Sequence, residues 1–263
     1  MAKFRPLFPG GRPATLPPRM TRLALLHQDD DLVAIDKPSG LIVHRGWAND
    51  DDSVLSLLRA QLGRLVYPVH RLDRGTSGVL VLALSPDSAR ALGASFEAGT
   101  VCKRYLALVR GVPREAAGRI DHAIPRSEDG PRVPAATRWR TLAMAAPMQL
   151  PDSPRTVRFS VIEAWPETGR LHQVRRHLKH LGHPVIGDAN HGRGDLNRLL
   201  AARVGLRRLA LHAATLSLPH PAGGAMLTLT AALPPDLALP FSALGLELPP
   251  DQPPAPGGRE AAT

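Results

Sequence analysis

Residues 70 to 83 read HRLDRGTSGVLVLA, and this stretch restricts the fold more than any other. Val79 to Ala83 is an unbroken apolar run behind a Gly-containing turn, the pattern of a buried strand. Asp73 then sits on the loop that feeds the strand, with Arg71 and Arg74 beside it in sequence. Cations at a few Å favour the ionised form of a carboxylate. Such an Asp serves as a nucleophile or an anchor and makes a poor general acid; the plainer alternative is a loop carboxylate in a salt bridge.

The composition narrows what surrounds that loop. A chain of 263 residues with 43% hydrophobic content fills one large core or two small ones. Its 33 Lys and Arg against 23 Asp and Glu give a formal charge of +10, which favours a polyanionic partner through counterion release from phosphates. The alternative is a basic chain whose surplus is spread over solvated faces and tails. Cys102, the one cysteine, has no internal disulfide partner and is expected to pack as a small apolar residue in a strand. No apolar run approaches the roughly 18 residues that span a bilayer. Residues 1–22 are broken by Pro and Arg where a signal peptide needs an apolar stretch, so the expected location is the cytoplasm, with no membrane partner.

Along the chain, Pro6, Pro9, Pro13, Pro17 and Pro18 beside Lys3, Arg5, Arg12 and Arg19 predict a basic flexible arm over residues 1–22. Strands are expected at Leu23 to His27 and Leu32 to Asp36, ahead of a turn at Lys37-Pro38-Ser39-Gly40. Ser53 to Leu62 has the spacing of a short helix with Leu55, Leu58 and Leu62 on its core face and Asp51 or Asp52 near its positive end. Ser85-Pro86 predicts the start of a helix that buries Ala89, Leu92 and Phe96 and stops near Gly99. In the next strand, from Val101 to Arg110, Lys103 and Tyr105 share one face and Arg104 the other. Residues 111–155 hold many Pro, Gly and charged residues and are expected to form variable loops, with a strand from Ala136 to Met144.

Thr156 to Trp165 predicts another strand, and Leu171 to Leu181 a helix with Leu171, Val174, Leu178 and Leu181 on one stripe. Arg175 falls at the edge of that stripe, too near the core to lack an anionic partner, and Asp73 is the obvious one. His172, Arg176 and Lys179 point further toward solvent. Strands at Arg207 to Leu216 and Ala225 to Ala231 and a helix within Pro234 to Leu246 complete the pattern, and residues 249–263 form a low-complexity tail. His177, His180 and His183 recur every third residue, which drifts off one helical face, and no HExxH pattern is present; no metal site is expected.

The box HRLDxxTSG resembles that of the RluA-type pseudouridine synthases. It is joined in order by Lys37-Pro38-Ser39-Gly40-Leu41, Lys103-Arg104-Tyr105, Thr168-Gly169-Arg170-Leu171-His172-Gln173-Val174-Arg175 and Leu211-His212-Ala213. His44-Arg45-Gly46-Trp47, Arg175 to Pro184, Gly187-Asp188 and His191-Gly192 are similar to the TruC branch, the tRNA pseudouridine(65) synthases. The resemblance implies an α+β catalytic domain over residues 23–248: a bent, mixed, mostly antiparallel sheet flanked by helices, with a central RNA cleft. It implies isomerisation of a uridine without cofactor or redox change.

By the same resemblance Asp73 is the covalent nucleophile, at the sugar or the uracil ring, and Arg175 orients it. Tyr105 packs against the base and is implicated in proton transfer, where the residues alone allow a core aromatic. Arg71 supports extrusion of the base, and Leu72 and Leu211 belong to the binding site, Leu211 at its wall. Lys37, Arg74, Lys103, Arg104 and Arg176 are expected to position RNA through its phosphates. An S4-type RNA-binding module would need a segment before Leu23, so recognition is expected from the catalytic domain and its arms. The expected partner is tRNA, with rRNA as the alternative, and the expected state is a monomer. A scaffold that binds RNA without chemistry and a metal-dependent hydrolase are the competing classes.

Overall fold

A computed structural model describes residues 22–44, 53–126, 130–151 and 154–249. The N-terminal arm up to residue 21, Arg45-Gly46-Trp47, Asp51, Asp52 and the tail from residue 250 lie outside the described residues. The chain runs β1 (Ala24–Gln28), β2 (Leu32–Lys37), α1 (Val54–Leu62), β3 (Tyr67–Pro68), β4 (Ser77–Ala83), α2 (Pro86–Glu97) and β5 (Cys102–Arg110). It continues through β6 (Ala117–Asp121), β7 (Ile124–Pro125), β8 (Arg132–Val133), β9 (Ala136–Met144), β10 (Met148–Gln149), β11 (Thr156–Val157) and β12 (Phe159–Pro166). It ends with α3 (Gln173–His180), α4 (Gly194–Arg203), β13 (Leu211–Pro219), β14 (Met226–Thr230) and α5 (Pro235–Ala243).

Ten of these strands form one mixed sheet in the order β1-β2-β4-β13-β5-β12-β9-β6, with β3 added to β4 and β14 to β13. Its pairings are antiparallel except that of β4 with β13, where His212 lies opposite Ser77 and Ala213 opposite Gly78. The expectation of a mostly antiparallel mixed sheet flanked by helices therefore holds.

Alternating side chains send each strand into two cores. Val33, Ile35, Leu80 and Leu82 pack with Leu58 of α1, while Leu32, Ala34, Val79 and Val81 pack on the opposite face with Leu92 of α2. Further along, Ala107, Ile162 and Ala164 pack with Leu178 of α3, and Leu108 and Val161 with α4 and α5 on the reverse. Tyr105 touches both the α1 and the α3 clusters, so these two helices share one face of the sheet and Tyr105 lies between them.

β4 is buried along its whole length, and its parallel neighbour comes very close. A Cβ on Gly78, at φ +111, would stand 2.1 Å from the Ala213 carbonyl oxygen. The last residue of the TSG box is therefore glycine because β13 leaves room for nothing larger.

Several local expectations are corrected. Cys102 is exposed, at the start of β5 opposite Ser217. Residues 111–155 hold more than loops, since β6 pairs with β9 and ends the sheet. The strand at Arg207 to Leu216 starts later, at Leu211, because residues 207–210 form a connection that crosses behind the Asp73 loop. The helix predicted from Leu171 begins at Gln173, because His172 adopts a left-handed conformation (φ 55) that α-helix cannot continue through.

Candidate active site

The loop carrying Asp73 is fixed from behind by the KPSG box. Lys37 is fully buried, and its ammonium donates to the carbonyls of Pro38 (2.8 Å), Leu41 (2.7 Å) and Arg74 (3.3 Å). Ser39 donates to the Gly75 carbonyl at 2.8 Å, and the amide of Gly40 to that of Arg74 at 2.8 Å. Lys37 is thus corrected from a phosphate contact to an internal brace. Burial, followed by the charge of Arg208, lowers its pKa to about 7.

Held this way, the Asp73 carboxylate meets the guanidinium of Arg175, with Nη1 2.9 Å from Oδ2. The sequence expectation of this pair is met across 102 residues of chain. A second carboxylate, which the sequence reading did not place in the site, completes the arrangement. Asp188, 1% exposed, accepts from Arg175 Nε at 2.7 Å and Nη2 at 2.8 Å, and from the amides of Asn190 and His191 at 2.9 Å. An always-charged Arg at a core edge, with more donors than one carboxylate can fill, is the sequence signal for a second partner.

The bidentate contact sets the plane of the guanidinium and leaves Nη1 for Asp73. Burial disfavours the charge on Asp188, but the hydrogen bonds from Arg175 and the His191 amide outweigh it and hold its pKa below the ordinary carboxylate value. Gly187 turns the chain into this position at φ +78, with a Cβ there falling 1.9 Å from the Arg208 carbonyl oxygen.

Asp73 opens onto a cleft of about 690 Å³, in the size range of small-ligand pockets. The cleft lies over the middle of the sheet: Lys103 and Tyr105 of β5, Leu211 of β13 and the end of β12 reach it, with α3 along one side. Arg71 and Leu72 line it beside Asp73, and Arg126 and Arg170 add cations from the far loops. Burial, then the Asp73 charge, raises the pKa of Tyr105, so its phenol keeps its proton at neutral pH. Lys103 donates to the Thr168 carbonyl at 3.1 Å, and burial lowers its pKa.

His70 is not a reacting group. Its ring stacks on Phe96 at 4.7 Å, and Nε2 accepts the Val81 amide at 2.9 Å. Burial holds its pKa down at about 3.

Other predicted phosphate contacts sit elsewhere. Arg104 is buried on the opposite face of β5 and pairs with Glu163 of β12, which Arg140 also engages, so it is corrected from an RNA contact to a charge held inside the sheet. Arg74 is exposed behind the loop, with Nε on the Gly40 carbonyl at 2.9 Å, and does not line the cleft. Arg176 is half-buried and donates to the Pro125 carbonyl at 3.1 Å, which ties α3 to the β7–β8 hairpin. Among the described residues Asp29, Asp31 and His220 are close enough to share a metal ion, but they lie away from this cleft, and Asp29 is occupied by His27 and His220.

A family model described as RNA pseudouridylate synthase matches residues 31–180, which contain Asp73, Tyr105 and Arg175. The chain belongs to this family. A pseudouridine synthase is an isomerase. A protein of Yersinia pestis called tRNA pseudouridine synthase C is 42% identical over 222 residues, 80% of this chain and 86% of that one.

A Pectobacterium carotovorum protein of the same name is 44% identical over 224 residues, again 80% of this chain but 59% of the longer relative. Among solved structures, human RNA pseudouridylate synthase domain containing 4 has a TM-score of 0.67 at 31% identity, covering 86% of this chain and 95% of that one. Human RNA pseudouridylate synthase domain containing 1, at 24% identity and a TM-score of 0.69, shares the fold of this synthase.

Proposed function

We propose that this synthase converts uridine 65 of tRNA to pseudouridine. It acts as a cytoplasmic monomer whose catalytic domain spans residues 23–248, flanked by the basic segment 1–22 and the Pro-rich segment 249–263. The observation that carries the chemistry is the Asp73 carboxylate, partly open to a cationic cleft and held through one oxygen by Arg175 at 2.9 Å. The tRNA substrate is supported by the names of relatives at 39–44% identity.

The target base must leave its stack to reach such a carboxylate. In the proposed complex Arg71 supports the vacated stack, Leu72 and Leu211 form the apolar wall, and the Tyr105 ring packs on the uracil. Asp73 acts as nucleophile, at C1′ or on the uracil ring. Arg175 keeps it aimed, and Asp188 aims Arg175. Lys103, Arg126 and Arg170 engage phosphates along the cleft. No step calls for a redox group or a metal.

Two measurements test the reading. Carbodiimide-dependent reverse-transcription stops in total tRNA and rRNA, with and without the gene, should differ at position 65 of tRNA; a difference confined to rRNA would reassign the substrate and leave the chemistry standing. The Asp73→Asn and Asp73→Ala proteins should bind tRNA and fold as the parent does while forming no pseudouridine. Turnover by the Asn protein, with deamidation excluded by mass, would remove Asp73 from the role of nucleophile.

A further inference from the structure

His172 is the one non-glycine residue at positive φ among the described residues, and it lies in the cleft wall. Gln173, the first residue of α3, holds the loop ahead of it. The buried Gln173 amide accepts from Thr168 Oγ1 (2.7 Å) and the Arg170 amide (3.0 Å), and donates to the Ala136 carbonyl (2.8 Å) and Thr137 Oγ1 (3.0 Å). The segment from residue 168 to 172 is therefore closed on itself, and the chain enters α3 through a left-handed turn at His172 (φ 55). Strained backbone that its surroundings over-determine gathers at working sites.

The turn brings the imidazole to Asp73. Arg175 Nη1 occupies Oδ2, and His172 Nε2 lies 3.8 Å from the other oxygen, Oδ1. That separation is too long for a hydrogen bond and leaves room for one bridging atom. Among the described residues no other side chain hydrogen-bonds this ring, while His191 meets it edge-on with centroids 5.7 Å apart. Burial lowers the His172 pKa; Asp73 opposes this, Arg175 and Arg176 reinforce it and Asp188 opposes it. A neutral imidazole at physiological pH is better suited to a hydroxyl than to a phosphate.

The substrate carries one group that fits the gap. In the complex proposed above Tyr105 takes the base, Arg71 the vacated stack and the other cations the phosphates, so the sugar at the reacting carbon still lacks a polar partner. Next to C1′, the ring oxygen O4′ only accepts hydrogen bonds, whereas the 2′-hydroxyl both donates and accepts. A carboxylate accepts, and a neutral imidazole with its proton on Nε2 donates from that atom. A 2′-hydroxyl seated between the two donates to Oδ1, accepts from Nε2 and sets C1′ beside the carboxylate.

We propose that His172 is a specificity residue for ribose, binding the 2′-hydroxyl of the target uridine and so holding its C1′ against Asp73. The assignment rests on Asp73 as the reacting carboxylate. It concerns the sugar alone, and the base stays with Tyr105.

The test uses full-length tRNA in which the target nucleotide alone is uridine, 2′-deoxyuridine or 2′-fluoro-2′-deoxyuridine; the fluoro sugar keeps the pucker of RNA without the hydroxyl. Dissociation constants are measured in the Asp73→Asn background, which should not turn over, with residue 172 as His, Gly or Asn. His172→Gly relieves the left-handed backbone and His172→Asn tolerates it with a shorter side chain, so both should fold.

With His172 present, the uridine tRNA should bind about fivefold or more tighter than either analogue, as one hydrogen bond allows. In both His172 variants that preference should fall to within about twofold. With Asp73 intact, both variants should convert the uridine tRNA about tenfold or more slowly in single turnover, because the sugar is no longer placed. No preference with His172 present overturns the proposal, as does a preference that survives loss of the imidazole. A preference against 2′-deoxyuridine alone reports pucker and overturns it too. Turnover by Asp73→Asn, with deamidation excluded by mass, would instead sink the nucleophile reading; the sugar preference is then read from the single-turnover rates of the same proteins.

Discussion

Asp188→Ala separates the support of the site from its chemistry. The substitution removes two charge-assisted bonds to Arg175 and two acceptor contacts for the amides of Asn190 and His191, all inside the protein. Stranding one member of a buried ion pair costs about 3–5 kcal/mol. Arg175 keeps Asp73 at 2.9 Å, which puts the cost at the lower end. For a chain of this size each kcal/mol lowers Tm by about 2–4 °C, so a fall of about 10 °C in thermal unfolding is expected. The converse change, Asp73→Ala, leaves Arg175 its buried bidentate partner and should lower Tm far less.

The double variant Arg175→Met/Asp188→Ala no longer strands a charge, so it should regain part of the stability of Asp188→Ala without regaining activity. The pH dependence has a definite sign. The Asp188 pKa is lower in the folded than in the unfolded chain, so its contribution is fully present above the unfolded value and is lost as pH falls through the folded one. The stability gap between parent and Asp188→Asn should be constant above about pH 5 and shrink below about pH 4. A loss under about 1 kcal/mol for Asp188→Ala, less than a buried pair costs on breaking, would refute the assignment of Asp188 as the anchor of Arg175.

Three further outcomes are expected. Arg71→Ala and Arg126→Ala, which alter exposed cations of the cleft, should each weaken tRNA binding and reduce the slope of log affinity against log salt by up to about one. Arg104→Ala should leave that slope unchanged and instead cost about 3 kcal/mol in denaturant unfolding, because it leaves Glu163 buried with Arg140 alone; an altered salt slope at full stability would contradict its placement inside the sheet. Gly78→Ala forces a Cβ to 2.1 Å from the Ala213 carbonyl oxygen. It should cost at least the upper part of the about 1–3 kcal/mol typical of overpacking, read as loss of soluble protein or a lowered denaturation midpoint.

The sheet was legible where an apolar run followed turn residues, as in β4, or where side chains alternated in character, as in β5. The Asp73–Arg175 pair was legible for a different reason. A guanidinium at the edge of an apolar stripe must find a carboxylate, and few carboxylates sit in so cationic a loop. What sequence proximity could not supply was direction. Arg104 adjoins Lys103, yet the pleat sends it through the sheet to Glu163, and the alternation that placed it on the other face already argued against a shared RNA contact. Lys37 heads a turn that looks solvent-facing, yet three carbonyls converge on it because two loops cross there.

The same limit hid His172. Helical periodicity assumes the helix has begun, and on that assumption the imidazole points outward. Gln173 bonds backward to Thr168 and Arg170 and so delays the helix, and the residue before it swings to face Asp73. A periodic pattern fails at the residue where a polar side chain, rather than an apolar face, decides the backbone. Lys37, Asp188 and His172, which polar contacts and local backbone rather than an apolar face set around Asp73, are accordingly the residues that the pattern misassigned or passed over.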